Sequence, residues 1–300
     1  MENLTLLVLA AGLGNRYGGA KQVDTFGPGG ETLMEYSIYD AIQAGFAKIV
    51  FVVRQENLQQ FQNLFHAKLS KRAEVDYAIQ SPHEPQAIIP KSIQRTKPWG
   101  TGHAILSAAS KINSAFAVVN ADDYYGHLAF KKIAGFLTTN TLASDYAFVA
   151  YPLKNTLSAF GTVSRGCCTV DAQHCLVEIN ECTNIQRLES GKIISSETAA
   201  HAINENTLVS MNLWGFKPSV FNELRKGFAE FINSSANTLS DEFYITTPVQ
   251  QVIAEKKAKV HVLPHDENWF GVTYARDKEQ VKNAIGKLIA ANIYPEQLWK

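Results

Sequence analysis

The sequence carries no surplus of charge of either sign: 28 Lys and Arg stand against 28 Asp and Glu in 300 residues. Proteins whose main task is to hold nucleic acid or an anionic membrane are usually basic, because phosphate rewards positive charge; the balance excludes that task as the main one. Long apolar runs are missing too. The longest, Leu6 to Ala11, stops at Gly12 and falls far short of the ~20 residues a membrane-spanning helix needs. The residues before it include Glu2 and no Lys or Arg. No basic segment therefore marks a secretory signal, and the chain reads as cytoplasmic. Cysteine is scarce, four in 300 residues, too few for a disulfide scaffold. Cys167, Cys168, Cys175 and Cys182 do cluster. Adjacent strand residues point to opposite faces, however, and the Cys-x-x-Cys pairs of a zinc site are missing, so they read as buried or half-buried thiols. Internal repeats, low-complexity tracts and an obvious interdomain linker are also lacking.

What is present is globular: 46% hydrophobic and 19% charged residues, in a chain long enough to bury roughly three quarters of its unfolded surface. The first half alternates strand and helix patterns. Thr5 to Ala11 is a continuous apolar run, the mark of a strand buried on both faces. Thr32 to Gly45 predicts a helix, Lys48 to Val53 a strand, Glu56 to Leu69 a helix, and Val75 to Ile79 a strand. His103 to Lys111 predicts a further helix and Ala115 to Ala121 a further strand. This succession argues for a mainly parallel sheet covered by helices on both sides. The second half differs. Tyr146 to Tyr151, Gly161 to Ser164, Cys175 to Ile179 and Thr207 to Phe216 are strand-like, an added mixed or antiparallel layer. Helices then recur at Pro218 to Phe231, Asp241 to Lys256 and Asp277 to Ala291, with a strand at Lys259 to Leu263. Asp241-Glu242-Phe243-Tyr244 would open its helix, where acidic residues suit the macrodipole. Ser81 to Pro98, with prolines at 82, 85, 90 and 98, is the most loop-like stretch.

The strongest chemical signal runs from Leu9 to Gln22. A strand delivers a loop with glycines at 12, 14, 18 and 19, two cations, Arg16 and Lys21, and no carboxylate. Glycines let backbone N–H groups approach phosphate oxygens and form an anion-binding nest. Arg16 can grip phosphate bidentately and Lys21 can serve as a mobile point charge. The loop is not a P-loop, since Gly-x-x-x-x-Gly-Lys-[Ser/Thr] is absent. It is not a dinucleotide fingerprint either, since Tyr17 fills the third glycine position.

Leu-Ala-Ala-Gly-x-Gly-x-Arg followed by Lys21 resembles the signature of the nucleotidylyltransferases that build nucleotide sugars, and later segments follow in that family's order. Trp99-Gly100-Thr101-Gly102-His103-Ala104 resembles its nucleotide-binding Gly-Thr-x-x-Ala turn, and Asn120-Ala121-Asp122 its metal-binding segment. Phe160 to Val163, Val177 to Glu181 and Met211 to Phe216 resemble its sugar-side segments. The resemblance spans about Leu4 to Thr273. It implies a three-layer α/β/α, GT-A-like fold with a mainly parallel central sheet. It also implies a single domain over 1–300: about 1–145 for nucleotide, 146–275 for acceptor and 276–300 as a C-terminal helix. The implied reaction joins an NTP to a sugar 1-phosphate, releasing pyrophosphate, with Mg²⁺ as cofactor. Ala11, Gly12, Gly14, Gln80, Gly100, Thr101 and Gly102 would bind nucleotide, and Arg16, Lys21 and Asp122 would be catalytic. Asp122 would also hold Mg²⁺, and Gly161, Glu181 and Asn212 would meet the acceptor. Gln80, in this family, would pair with a pyrimidine edge, UTP first and dTTP second, because an amide offers both donor and acceptor; the other reading is a solvated Gln at a strand end. No nucleic acid or membrane partner is implied, and a homo-oligomer is allowed by a family that is often multimeric.

The sequence also departs from the pattern. The family's Trp-x-Asp-x-Gly segment here reads Trp269-Phe270-Gly271-Val272-Thr273, with glycine where the second metal-binding Asp belongs; Asp266 or Glu267 is a candidate substitute. Asp123 is another, although neighbouring side chains at a strand end diverge. Glu181 is followed by Cys182 and Thr183 where the family has Lys and Pro. Two other functions therefore stay open: a cytidylyltransferase acting on a phospho-alcohol such as phosphocholine, and a nucleotide-binding regulatory protein without catalysis. Tyr124 and Tyr125 read equally as site wall or packing, and His103 as a polar residue of a first helical turn.

Overall fold

The computed structural model describes residues 3–12, 24–158, 161–188, 190–195, 203–235, 237–272 and 276–300. The parallel half starts with β1 (Leu4–Leu9), α1 (Leu33–Gln43) and β2 (Phe46–Val53). Thr32 and Glu35 start α1 as a capping box, Glu35 Oε2 accepting from Thr32 N at 2.8 Å. The helix expected over Glu56 to Leu69 is broken. It consists of α2 (Leu58–Phe61), a π turn at Gln62–His66 and α3 (Ala67–Leu69), with Phe61 and Phe65 both set against Phe51. Then come β3 (Glu74–Ile79), α4 (Thr101–Ser107), β4 (Phe116–Asn120) and β5 (Asp123–Tyr124). α4 begins two residues before the expected His103, because Gly100, at φ 99°, turns the loop into it.

A helix the sequence pattern did not yield, α5 (His127–Thr139), follows. Its buried Ala129, Phe130, Ile133, Ala134 and Leu137 do recur at helical spacing, but Gly135 and the closing threonines weaken the propensity. The second half contains β6 (Asp145–Pro152), β7 (Val163–Val170), β8 (Leu176–Arg187), β9 (Ile193–Ile194) and β10 (Leu208–Phe216). β7 and β8 extend well past the expected Ser164 and Ile179. One face of this hairpin carries polar residues, which end an apolar run without ending a strand. The chain closes with α6 (Val220–Ser234), α7 (Thr246–Ala254), β11 (Lys259–Pro264), β12 (Phe270–Gly271) and α8 (Asp277–Ala290). α7 starts at Thr246 rather than Asp241. The acidic segment before it is spent otherwise, Asp241 Oδ2 accepting from Ser235 Oγ at 2.8 Å and from Asn237 N at 3.0 Å.

The sheet runs β3-β2-β1-β4-β10-β7-β8-β9, with β6 against β10 and β11 against β6. β3, β2, β1 and β4 are parallel, and β10 enters antiparallel to β4. β1 divides its side chains between two layers: Leu6 and Val8 join a core with α1 and α5, while Leu7 joins one with α4, α6 and α7. This is the expected three-layer α/β/α architecture, with an antiparallel extension. β10 changes partner halfway. Trp214 to Phe216 pair with β4, whereas Val209 and Ser210 pair with β7. Between them the register with β6 shifts, and Asn212 takes a left-handed φ of 66°, a bulge that re-aims the chain.

A third apolar cluster holds Tyr36, Tyr124 and Tyr294 over α8. Inside it the Tyr294 hydroxyl donates to Asp40 Oδ2 at 2.6 Å. Burial pushes the Asp40 carboxyl up to about 8, against the Tyr294 bond. The folded protein therefore keeps a proton there that the unfolded chain has released, and stability from this group is lost as pH rises from the ordinary carboxylate range toward 8. Asp40→Asn keeps an acceptor without the charge. Its stability relative to the parent is expected to grow with pH between 5 and 8 at up to about 1.4 kcal/mol per unit. Thermal unfolding of both proteins at pH 5 and pH 8 checks this; a pH-independent difference would contradict it.

Candidate active site

The four parallel strands end on one edge, the place where open α/β sheets take ligands. β1 and β4 are adjacent and register Leu9 with Asn120, so Ala11 and Gly12 leave the sheet beside the Asn120-Ala121-Asp122 turn. β3 lies two strands beyond β1, and Gln80 is its first residue past the edge, its N–H donating to Val53 O at 2.9 Å. Neighbouring strands are spaced about 4.8 Å, so Gln80 and Asp122 leave strands roughly 14 Å apart. Gly14, Arg16 and Lys21 lie outside the described residues.

Asp122 is half-buried and Asp123 buried. Asp123 Oδ2 accepts from Asn120 Nδ2 at 2.8 Å and from the Tyr125 hydroxyl at 3.2 Å, while that hydroxyl accepts from Asn120 N at 2.9 Å. Tyr125 is thus a core residue, and Tyr124 stacks on Phe270 with centroids 4.3 Å apart: both are packing. Gly271 pairs with Asp123 between β12 and β5. A Cβ at Gly271 would stand 2.5 Å from Asp123 Oδ1 and 2.8 Å from the Trp269 ring. The carboxylate at 123 thus occupies the room that a side chain at 271 would need. Asp266 is exposed, its carbonyl taken by Asn155 Nδ2 at 2.9 Å, and Glu267 is turned to His127 and His265, each at 3.1 Å.

Where β10 leaves β4 for β7, the sheet forks, and a cavity of about 240 Å³ opens in the fork. Glu181 and Asn212, two of the three expected acceptor residues, line it together with Asn120, Asp123, Arg165 and Trp269. Gly161 stands two residues before β7 and lines neither this cavity nor its neighbour. Arg165 was not singled out in the sequence. Its guanidinium lies over Trp269, 4.8 Å from the ring centroid, and donates to Thr156 Oγ1 at 3.2 Å and Ser164 O at 2.8 Å. Burial lowers its pKa to about 10, opposed by Asp123 and Glu181, so it remains a cation at neutral pH. It also walls a second cavity of about 310 Å³ on the side of α8. Carboxylates, amide, hydroxyls and one guanidinium suit a polar molecule rich in hydroxyl or phosphate groups.

The Gly100 to Gly102 turn is bound from behind. A Cβ at Gly100 would meet Phe243 O at 2.8 Å, and one at Gly102 the Phe243 ring at 2.7 Å. Gly102 N donates to Phe243 O at 2.9 Å, Ile245 N to Thr101 Oγ1 at 3.1 Å, and Phe243 N to Trp99 O at 2.6 Å. These glycines admit the segment before α7, a reason for them that does not involve nucleotide. Gln80 is not solvated; it is 5% exposed, with Nε2 on Gly100 O and on His103 Nδ1, both at 3.1 Å. His103 is buried as well, with Nε2 on Glu84 O at 2.6 Å. The proline-rich stretch is a fixed wall here. Trp99 Nε1 donates to Pro82 O at 2.8 Å, and Arg95 lies 4.0 Å over the Trp99 ring and donates to Thr238 O at 2.7 Å. Of the thiols, Cys167 and Cys182 are buried and Cys168 and Cys175 half-buried.

A family model described as nucleotidyl transferase matches residues 7–277. Comparison with curated proteins gives no match. Among solved structures, the chain is similar to the inositol-1-phosphate CTP transferase from T. maritima, with a TM-score of 0.62 and 13% identity over 95% of this chain and 96% of that one. It is also similar to UDP-glucose pyrophosphorylase complexed with UDP-glucose, with a TM-score of 0.60 and 16% identity over 95% of this chain and 99% of that one. At such identities the likeness is one of fold.

Proposed function

The chain belongs to the nucleotidyl transferase family, and we propose that it moves a nucleotidyl group from a pyrimidine NTP, UTP first, to a phosphorylated polyol, a sugar 1-phosphate first. An acceptor phosphate oxygen attacks the α-phosphorus in line. The bond from that phosphorus to the bridging oxygen breaks, and pyrophosphate leaves with the electron pair. Acceptor phosphate is already ionised at neutral pH, so no protein nucleophile is needed. Positioning and charge neutralisation carry such a transfer. Gly12 to Arg16 would wrap the triphosphate, and Lys21 would draw the α-phosphate and the incoming phosphate together.

The family generally uses a divalent metal, usually Mg²⁺. The donor set suits it, since hard cations take carboxylate and phosphate oxygens. Asp122 would hold the ion. Asp123, whose Oδ1 takes the room left at Gly271, would supply the second carboxylate in place of Asp266. When bound, Mg²⁺ supplies charge neutralisation on the phosphates.

The observation that carries this reading is the common edge. Gly12, Gln80 and Asp122 follow β1, β3 and β4, beside a polar cavity holding Glu181 and Asn212. Pyrophosphate release across a panel of NTPs and acceptors (hexose 1-phosphates, inositol 1-phosphate, phosphocholine) tests it. UTP with a sugar 1-phosphate is expected to turn over fastest. Preference for ATP or GTP would sink the base assignment, and CTP with phosphocholine would replace the acceptor. Tight nucleotide binding with no turnover on any acceptor would favour a regulatory protein.

A further inference from the structure

Two cavities meet at Arg165, and their walls differ in charge. The one in the fork, about 240 Å³, sets two carboxylates, Asp123 and Glu181, against one cation, Arg165, among the described residues that line it. The one on the side of α8, about 310 Å³, sets two cations, Lys154 and Arg165, against one described carboxylate, Asp277. That carboxylate belongs to a residue 7% exposed that has a partner of its own. The amides of Asn155, Asn268 and Gln280 add neutral polar groups. Like charges brought together away from bulk water repel. The first cavity therefore suits hydroxyl groups or a metal-bound phosphate, and a further negative group is favoured in the second.

Arg165 itself has bonds to spare. It is buried, with Nε on Thr156 Oγ1 at 3.2 Å, Nη1 on Ser164 O at 2.8 Å and Nη2 on Thr156 O. A guanidinium has five N–H groups. These bonds use three, which leaves one on each terminal nitrogen without an acceptor among the described residues. Trp269, which lines both cavities, adds a buried Nε1 with no hydrogen-bond partner. Buried donors left unmet cost stability that a ligand oxygen restores, most of all where the donor is charged. At the rim Lys154 is exposed, and its Nζ meets Asn206 Oδ1 at 3.0 Å, a neutral group that leaves its charge unmatched.

We propose that the cavity beside α8 is an anion subsite, in which Lys154 and Arg165 take a carboxylate or phosphate group other than the phosphate that reacts. This rests on the reading of the chain as a nucleotidyl transferase with its acceptor in the fork, and it names the acceptor class: a polyol phosphate with a second negative group, such as a uronic acid 1-phosphate. The same chemistry has one other source, a free anion held beside an ordinary sugar 1-phosphate.

Pyrophosphate release by the full chain, with the NTP that the panel above selects, tests the proposal. Glucose and galactose 1-phosphates are compared with their C6 carboxylates, glucuronic and galacturonic acid 1-phosphates, and with their 1,6-bisphosphates. The parent is expected to use a doubly anionic acceptor with kcat/KM at least ~10-fold above its matched hexose 1-phosphate, the ratio one charge-assisted hydrogen bond gives. In Lys154→Met, a change at an exposed position, that ratio is expected to fall to within about threefold, and in Lys154→Arg to persist. Equal loss on all acceptors in Lys154→Met would make Lys154 merely structural and overturn its role. Calorimetry with free glucuronate and with inorganic phosphate separates the two sources. A free anion is the source where the acceptors are used alike and the parent binds one of these anions at least ~10-fold more tightly than Lys154→Met does. Acceptors used alike, with no anion binding that depends on Lys154, overturn the inference while leaving nucleotidyl transfer intact. No turnover on any acceptor, with Lys154-dependent anion binding retained, overturns the transfer reading and leaves the subsite.

Discussion

Asp122→Ala is expected to lower kcat/KM with UTP and its acceptor roughly a thousandfold, the loss of about 4 kcal/mol of transition-state stabilisation that a displaced metal causes. The melting temperature is expected to stay within a few degrees of the parent. The separation of the two effects follows from the local structure. Asp122 is half-buried in the turn after β4, and that turn is also held by bonds among Asn120, Asp123 and Tyr125 that do not use the Asp122 side chain. Asp123→Ala should also lower the rate, as a second metal carboxylate, but unlike Asp122→Ala it should cost stability as well, because it strips Asn120 and Tyr125 of a buried acceptor. Steady-state kinetics with a melting curve for each variant separates the roles. A near-normal rate in Asp122→Ala would remove it from the chemistry.

Gly100→Ala is expected to cost about 3–5 kcal/mol of stability, which for a chain of this size is a fall of roughly 10 °C in melting temperature. Two costs combine. An L-residue at φ 99° is strained, and the new Cβ would stand 2.8 Å from Phe243 O and 3.0 Å from Phe243 N. Those atoms are backbone, held by Trp99 O and Gly102 N, so they cannot move as a flexible side chain would. Gly286→Ala is the matched comparison. It lies in α8 with nothing within 4 Å of the added carbon, and alanine there should stabilise by about 0.5–1 kcal/mol. Differential scanning calorimetry reads both; equal shifts would mean that the approach of Phe243 is not what glycine serves at 100.

The parallel half was legible because strands buried on both faces are continuous apolar runs and glycine marks where they end. β1, β2 and β4 are each within two residues of expectation for that reason. The errors lie where a distant segment decides. Asp241 to Tyr244 reads as a helix start, but Phe243 is drawn against Gly100 and Gly102, about 140 residues away in the chain, so α7 begins at Thr246. α5 was missed on weak propensity, although its apolar spacing was there to be counted. Arg165 sits among Gly166, Cys167 and Cys168 and reads as an ordinary strand cation; Trp269, from the far end of the chain, covers it. Resemblance alone singles out Gln80; the two acceptors that meet its amide nitrogen appear only when the 100–103 turn is folded beside it.

The fork in the sheet gives the two halves of the chain unequal freedom to diverge. Its cavity exists only because β10 abandons β4 for β7. The cavity's contour is thus set by the length, twist and side chains of the β7–β8 hairpin more than by the parallel strands. If this cavity takes the acceptor, as proposed, a lineage of such proteins can exchange one acceptor for another by remodelling that hairpin and the loop before it, while the edge formed by β1, β3 and β4 stays as it is.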